Sequence, residues 1–213
     1  MSLSPSIHIP KCRGGEPLAL SVNEFHPCLV RRITLLGPAG AGKSRLGRQL
    51  AVLLGVPVIH LDRLYWRPGW VATPDAEWQE IQLRELERDS WIADGIQEGR
   101  IDANLWLDAA DTIVFMDASP LTSIWRVTKR RLDSADGPEM PADCKPAPFY
   151  RAFPRFLNFI WAYRRIIRPE VLADLARREQ RQQVAILRNE EDVQRFLASV
   201  KAQRAPLGES SLT

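Results

Sequence analysis

The sequence predicts an α/β chain organised on a doubly wound parallel sheet, and three observations carry that expectation. Five short runs rich in Val, Ile, Leu and Phe recur along the chain: "RRITLLG", "VPVIHLD", "WIADG", "DTIVFMD" and "QQVAILR". Their apolarity is continuous, as in parallel strands covered on both faces. Stretches of helical period separate them, so each strand is followed by a crossover that packs back on the sheet. The first run also leads through a cluster of glycines directly into a helical pattern, "ITLLGPAGAGKSRLGRQL".

Each element can be justified in turn. After the first strand, Leu46, Leu50 and Leu53 mark one face of a helix that Gly55 is placed to end. After the second, "TPDAEW" offers Thr73 as N-cap and Pro74 in the first turn of a helix. After the fourth, Ser119 and Pro120 repeat that device, and Leu121, Ile124, Trp125, Thr128 and Leu132 share a face. After the fifth, Asn189 caps a helix carrying Val193, Phe196, Leu197 and Val200. Residues 132–180 are too many for one crossover and form an insertion. It begins with the loop "DSADGPEMPADCKPAP" and continues into an apolar helical stripe of Phe149, Phe153, Phe156, Ile160, Tyr163 and Ile167.

The 213 residues suit one domain with an appendage. The expected organisation is a mobile N-terminal extension over 1–29, a domain over 30–205 with its insertion at about 132–180, and a tail over 206–213. Composition is that of a soluble core-forming protein, with 45% hydrophobic and 26% charged residues. No window reaches the ~20 apolar residues of a membrane helix, and the first residues lack the basic and apolar regions of an export signal. Cys12, Cys28 and Cys144 are odd in number and scattered, which argues against a disulfide framework and for a reducing cytoplasm. His8, His26 and His60 have no zinc-site spacing, so no metal is assigned to them.

The strongest motif is the glycine loop. Gly37, Gly42, Lys43 and Ser44 satisfy G-x-x-x-x-G-K-[ST] between a strand and a helix, the context that a phosphate loop requires. The loop Gly37, Pro38, Ala39, Gly40, Ala41, Gly42, Lys43, Ser44 and Arg45 is expected to cradle the phosphates of ATP at a helix start with its backbone N–H groups, Pro38 contributing shape and no donor. Glycines keep side chains out of that cradle. Lys43 should reach the β- and γ-phosphates, and the Ser44 hydroxyl should ligate Mg²⁺.

Acceptor-side chemistry belongs at the other strand ends, where ligands gather in open α/β sheets. Asp62 follows "VIHL" and Asp94 follows "WIA". Either acid can hold Mg²⁺ through water or accept the proton of an attacking hydroxyl, and either can instead be an ordinary helix cap or turn residue. Guanidinium groups are needed where phosphoryl charge disperses. "WRVTKRRL" offers Arg126, Lys129, Arg130 and Arg131, with Arg126 and Arg130 one helical turn apart. Tyr65, Trp66 and Trp70 can stack a base, floor an acceptor pocket or simply be core.

Together these segments resemble a known family. "GPAGAGKSRLGRQLAVLLGVPVIHLDRLYWRPGW", "WIADG", "ADTIVFMD" and "WRVTKRRL" are similar to the bacterial adenylate kinase-like proteins of the DNA topology modulation family, from about residue 31 onward. The resemblance is most specific in "HLDRLYWRPGW". It implies a P-loop fold of nucleoside monophosphate kinase type with a helical lid. It also implies MgATP at Gly37 to Ser44 and an acceptor region near Asp62, Tyr65, Trp66 and Asp94. The chain departs from that pattern at Ile96 and Gln97, where the family often has Asn and Tyr, and at Trp106 and Ala109, where arginines are common. Arg100 is a candidate replacement, and Arg45 stands where Thr is frequent.

The expected activity is ATP-dependent transfer of the γ-phosphoryl to a nucleotide or another small acceptor. Two alternatives stand beside it. One is an ATP-binding regulator or nucleic-acid-binding protein, in which Arg151, Arg155, Arg164, Arg165 and Arg168 among aromatics meet a strand. The other is an enzyme-derived binder that keeps ATP without turnover.

Overall fold

The computed structural model describes residues 30–95, 103–133 and 157–204, the side chains of 130–133 and 203–204 excepted. Several expectations lie outside the described residues: the extension and tail, the three cysteines, Ile96, Gln97, Arg100, Phe149, Arg151, Phe153, Arg155, Phe156 and the side chains of Arg130, Arg131 and Leu132.

The elements run β1 (Arg32–Leu36), α1 (Lys43–Leu54), β2 (Val58–His60), α2 (Leu61–Tyr65), β3 (Trp66–Arg67), β4 (Val71–Ala72), α3 (Asp75–Leu86), β5 (Trp91–Asp94) and α4 (Ala103–Ala109). They continue with β6 (Thr112–Met116), α5 (Pro120–Asp133), a helix α6 over 157–178, β7 (Gln183–Leu187) and α7 (Glu190–Arg204). Five strands form one sheet in the order β2-β5-β1-β6-β7, and every neighbouring pair is parallel. β1 is central. The chain winds from it to the β2 edge, returns to β5, then crosses to β6 and β7, so the direction of winding reverses beside the end of β1.

Side chains alternate between the two faces and bury a layer on each. On one face Trp91, Ile113 and Phe115 pack with Trp78 of α3, Trp106 of α4 and Leu175 of α6. On the other, Ile33, Leu35 and Val114 pack with Leu46 and Leu50 of α1 and Phe196 of α7. This is the doubly wound α/β fold, and it explains the unbroken apolarity of the strand sequences. Trp106 supports the first layer in two further ways. Its indole N–H donates to Gln82 Oε1 at 3.0 Å, and its carbonyl accepts the Thr34 hydroxyl at 3.0 Å. The residue found where arginine is common in the resembling family is thus a core residue here.

The helix ends match the sequence reading in three places. Gly55 ends α1 in the left-handed conformation with its N–H on the Ala51 carbonyl. The Thr122 amide donates to Ser119 Oγ at 3.1 Å, and the Asp192 amide to Asn189 Oδ1 at 2.8 Å. Thr73 is a correction: α3 starts one residue later, with Pro74 at the N-cap and no side-chain cap. The Thr73 hydroxyl turns back and donates to the Tyr65 carbonyl at 2.7 Å, closing the β3–β4 hairpin. That hairpin, α2 before it and α4 later are additions that the sequence reading did not contain.

The face expected on α5 is a second correction. Leu121 and Trp125 are 77% and 66% exposed, whereas Ser123 and Val127 are buried. The cause is the glycine loop. Its backbone lies against α5 at Ser123 and Val127, so that side of the helix, not the more apolar one, turns inward. In α6 the expected stripe holds for Ile160 and Tyr163, which are buried. A π-helical turn over Tyr163–Ile167 then shifts the phase before the α-helix resumes as Arg168–Arg178.

These placements set an ordering of stabilities. Phe196→Ala should lower the unfolding free energy by about 3–5 kcal/mol, and Leu121→Ala should change it by less than about 0.5 kcal/mol, both read from urea denaturation.

Candidate active site

The phosphate-loop residues are placed by backbone packing. Gly37 has φ +136°, and a Cβ there would meet the Met116 carbonyl oxygen at 2.5 Å. Gly40 has φ +80°, and its Cβ would meet the Ser123 carbonyl oxygen at 2.6 Å. Both neighbours are backbone atoms and cannot yield, so the loop lies flush against the end of β6 and the first turns of α5 only because these positions are glycine. The Ala41 amide donates to the Pro38 carbonyl at 3.1 Å, which closes the loop. Gly42 then starts α1, and the Leu46 amide makes the first helical bond to the Gly42 carbonyl at 3.0 Å. The amides of that first turn, at Lys43, Ser44 and Arg45, have no acceptor within the helix and face an anion favourably.

Lys43 arches over the loop. Its Nζ donates to the carbonyls of Gly37 at 2.6 Å and Pro38 at 3.2 Å. The ammonium therefore sits at the mouth of the cradle, hydrogen-bonded among the described residues to neutral oxygens that a phosphate oxygen can replace with a stronger, charge-assisted partner.

Asp94 ends β5 and is buried. Burial by itself raises the affinity of this carboxylate for a proton. The hydrogen bond from His60, the nearby Lys43 ammonium and the hydrogen bond from Ser44 outweigh it and hold Asp94 below its ordinary value. It is an anion at neutral pH, within hydrogen-bond reach of the motif serine. Ser44 and Asp94 together offer the hard oxygen donors that suit Mg²⁺.

His60 was assigned no part from its sequence spacing. It ends β2, pairs in register with Asp94, and brings Nδ1 within 3.5 Å of Asp94 Oδ2. Asp62 follows in the first turn of α2 and is exposed. A Cβ at Gly95 would lie 3.0 Å from both the Asp62 amide nitrogen and Oδ2, so the two acids of the sequence reading stand near one another at the same end of the sheet, where β2 and β5 finish. From there an aromatic chain leads outward. Tyr65 packs edge-on against buried Trp78, and Trp66 lies between Tyr65 and the exposed Trp70, with ring centroids 4.8 and 5.7 Å apart.

Arg126 reaches the opposite side of the loop. Its Nη1 donates to the Ala41 carbonyl at 2.8 Å, and Nη2 lies 3.8 Å from Glu190 Oε2. Arg45 meets the same glutamate, with Nη2 3.3 Å from Oε1. A cleft of about 590 Å³ opens here between the loop, Arg126 on α5 and the β7–α7 turn at Arg188, Asn189 and Glu190. That volume is of the size that encloses a small organic ligand.

A third strand-end acid went unnoticed in the sequence. Asp117 follows β6, is buried, and is gripped in bidentate fashion by Arg168, Nε to Oδ1 and Nη2 to Oδ2, both at 2.7 Å. Arg164 adds a contact at 3.5 Å. Arg168, one of the arginines considered for nucleic-acid contacts, therefore turns inward and pins α6 to the sheet just after its π-turn, while Arg164 stays 44% exposed beside the same carboxylate.

Among known proteins, no family profile matches the chain. A cytidylate kinase of Nitratidesulfovibrio vulgaris is 35% identical over 78 residues, 36% of this chain and 29% of that protein. A shikimate kinase of Histophilus somni is 32% identical over 102 residues, 42% of this chain and 58% of that protein. The chain thus spans less than two thirds of the length of the curated relatives it matches. Two solved structures also resemble it. A shikimate kinase from Acinetobacter baumannii in complex with shikimate has a TM-score of 0.49 at 15% identity, covering 85% of this chain and 97% of that one. A gluconokinase from Sinorhizobium meliloti 1021 has a TM-score of 0.48 at 18% identity, covering 83% and 95%. At TM-scores below 0.5, nothing about the site rests on those two likenesses. The curated proteins that this chain resembles are kinases of nucleotides and small molecules.

The buried pair at the sheet end gives a direct check. Arg168→Ala leaves the Asp117 carboxylate without its bidentate partner and should lower stability by about 3 kcal/mol. Arg164→Ala should cost less than about 1 kcal/mol. Chemical denaturation of the two variants measures both.

Proposed function

We propose that this protein is an ATP-dependent phosphotransferase that moves the γ-phosphoryl of ATP to a small acceptor, a nucleotide or a metabolite bearing a hydroxyl or phosphate. One observation carries the reading: the buried Asp94 carboxylate, held as an anion within hydrogen-bond reach of Ser44, beneath a glycine loop whose Lys43 ammonium stands at the mouth. That pairing supplies in one place what phosphoryl transfer needs from a protein, an anion cradle, a cation's oxygen donors and a mobile positive charge.

In this reading the glycine loop and the free amides of the first turn of α1, at Lys43, Ser44 and Arg45, bind the β-phosphate, and Lys43 exchanges its loop carbonyls for the β- and γ-phosphate oxygens. Ser44, with Asp94 behind it, would hold Mg²⁺, which would supply positive charge against that of the triphosphate. Arg126, fixed to the Ala41 carbonyl, supplies a guanidinium group beside the loop for the transferring phosphoryl, and Arg130, one helical turn on in the sequence, is the second candidate for that role. Asp62 lies on the acceptor side, placed to take the proton of an attacking hydroxyl. Residues 30–205 would form the kinase domain, with about 132–180 as its lid insertion, of which the helix over 157–178 packs on the sheet, and the extension and tail outside it. The kinase names of the curated relatives support the reaction class, and cytidylate and shikimate kinases bracket the acceptors to try first. A cytoplasmic setting, where ATP and such acceptors are found, accords with it.

The test is a phosphoryl-transfer screen with MgATP against nucleoside monophosphates, nucleosides and hydroxylated metabolites, with Lys43→Ala as the blank. Transfer to at least one acceptor is expected, with the variant slower by about 10²-fold or more. Tight ATP binding with no transfer to any acceptor would leave a nucleotide-binding protein in place of a kinase.

A further inference from the structure

His60 has no role in the reading above, and its surroundings give it one. It is the last residue of β2 and lies directly across the parallel ladder from Asp94. Its side chain is 22% exposed, and Nδ1 stands 3.5 Å from Asp94 Oδ2. Although it occupies the N-cap position of α2, it makes no side-chain cap bond there, so helix capping does not explain the histidine.

The other two groups acting on Asp94 are Ser44 and Lys43. Both belong to α1 and follow the glycine loop, so they answer to whatever the loop holds. His60 alone among them belongs to the sheet, whose backbone is fixed by the β2–β5 ladder. A carboxylate has two oxygens and about four acceptor positions, and a partner on one oxygen restricts how the other is turned.

We propose that His60 is a positioning residue that anchors one oxygen of Asp94 from the rigid sheet edge, so that the carboxylate stays turned towards Ser44 and the pair meets a divalent cation ready-oriented. The inference rests on the reading of Ser44 and Asp94 as holders of Mg²⁺. Partners that orient metal ligands from behind typically change metal affinity 10–100-fold when removed. Because His60 reaches the nucleotide site only through Asp94, its removal should act on the cation and leave ATP without metal untouched.

The experiment is calorimetric titration of the full chain with ATP, in Mg²⁺ and again in EDTA, for the native protein, His60→Ala and His60→Asn. The native protein should bind ATP more tightly with Mg²⁺. His60→Ala should lose about tenfold of that tightening while its affinity in EDTA stays unchanged, and His60→Asn should recover most of it, since an amide N–H can stand where Nδ1 does. Full tightening in His60→Ala overturns the proposal. So does an equal loss of ATP affinity with and without Mg²⁺, or a failure of asparagine to restore what alanine removes, because either marks His60 as a packing residue. If the native protein gains nothing from Mg²⁺, the phosphotransferase reading falls as well, and that outcome is seen before any variant is compared.

Discussion

A buried negative charge organises this end of the molecule. Placing the Asp94 carboxylate among apolar residues is unfavourable unless its lone pairs are met, and the groups that meet them come from different parts of the chain: His60 from β2, Ser44 and Lys43 from α1. The chain can satisfy that anion only when the β2 edge, the end of β5 and the first turn of α1 come together as they do. The same convergence brings the serine hydroxyl, the lysine ammonium and the carboxylate to the rim of the glycine loop. Satisfying the charge and assembling the site are one requirement.

The opposite side of the loop is set by contact between backbones. Gly37 and Gly40 bring the chain against carbonyl oxygens of Met116 and Ser123, so the loop is wedged between β6 and α5. This wedge fixes the rotation of α5 about its own axis. It turns Ser123 and Val127 inward, leaves Leu121 and Trp125 facing out, and carries Arg126 over the loop to the Ala41 carbonyl. A feature usually valued for what it binds therefore also decides how a neighbouring helix packs. The Arg168–Asp117 pair does comparable work further along, where two parallel hydrogen bonds lock α6 to the end of β6 at its π-turn. Two buried acids at the ends of β5 and β6 thus flank the loop, one satisfied from within the site and one by a helix that leads back towards β7.

Much of the fold was legible before any coordinates because the signals are local. Continuous apolar runs gave the five strands of the main sheet, since a strand buried on both faces has no polar side to show. The caps at Ser119 and Asn189 and the stop at Gly55 were readable because a cap is decided within three or four residues. Thr73 misled for the same reason turned around: its hydroxyl had a nearby alternative, the Tyr65 carbonyl, available only once α2 and the β3–β4 hairpin had formed. Those pieces, of five residues or fewer, are too short to display a period.

The sequence by itself determined the doubly wound arrangement and the phosphate loop. The first follows from continuous apolar runs alternating with helical periods, the second from residue types at fixed short spacings, glycine where a side chain would collide, lysine and serine where a helix begins. Only the tertiary structure decided that His60 faces Asp94, that Asp117 takes Arg168, and which side of α5 is buried. The first depends on which strands are neighbours and in what register, and a one-residue slip along the β2–β5 ladder would undo it; the other two depend on how α6 and α5 seat against the strand ends and the glycine loop. Register is set by the packing of both core layers at once, so no single stretch of residues contains it.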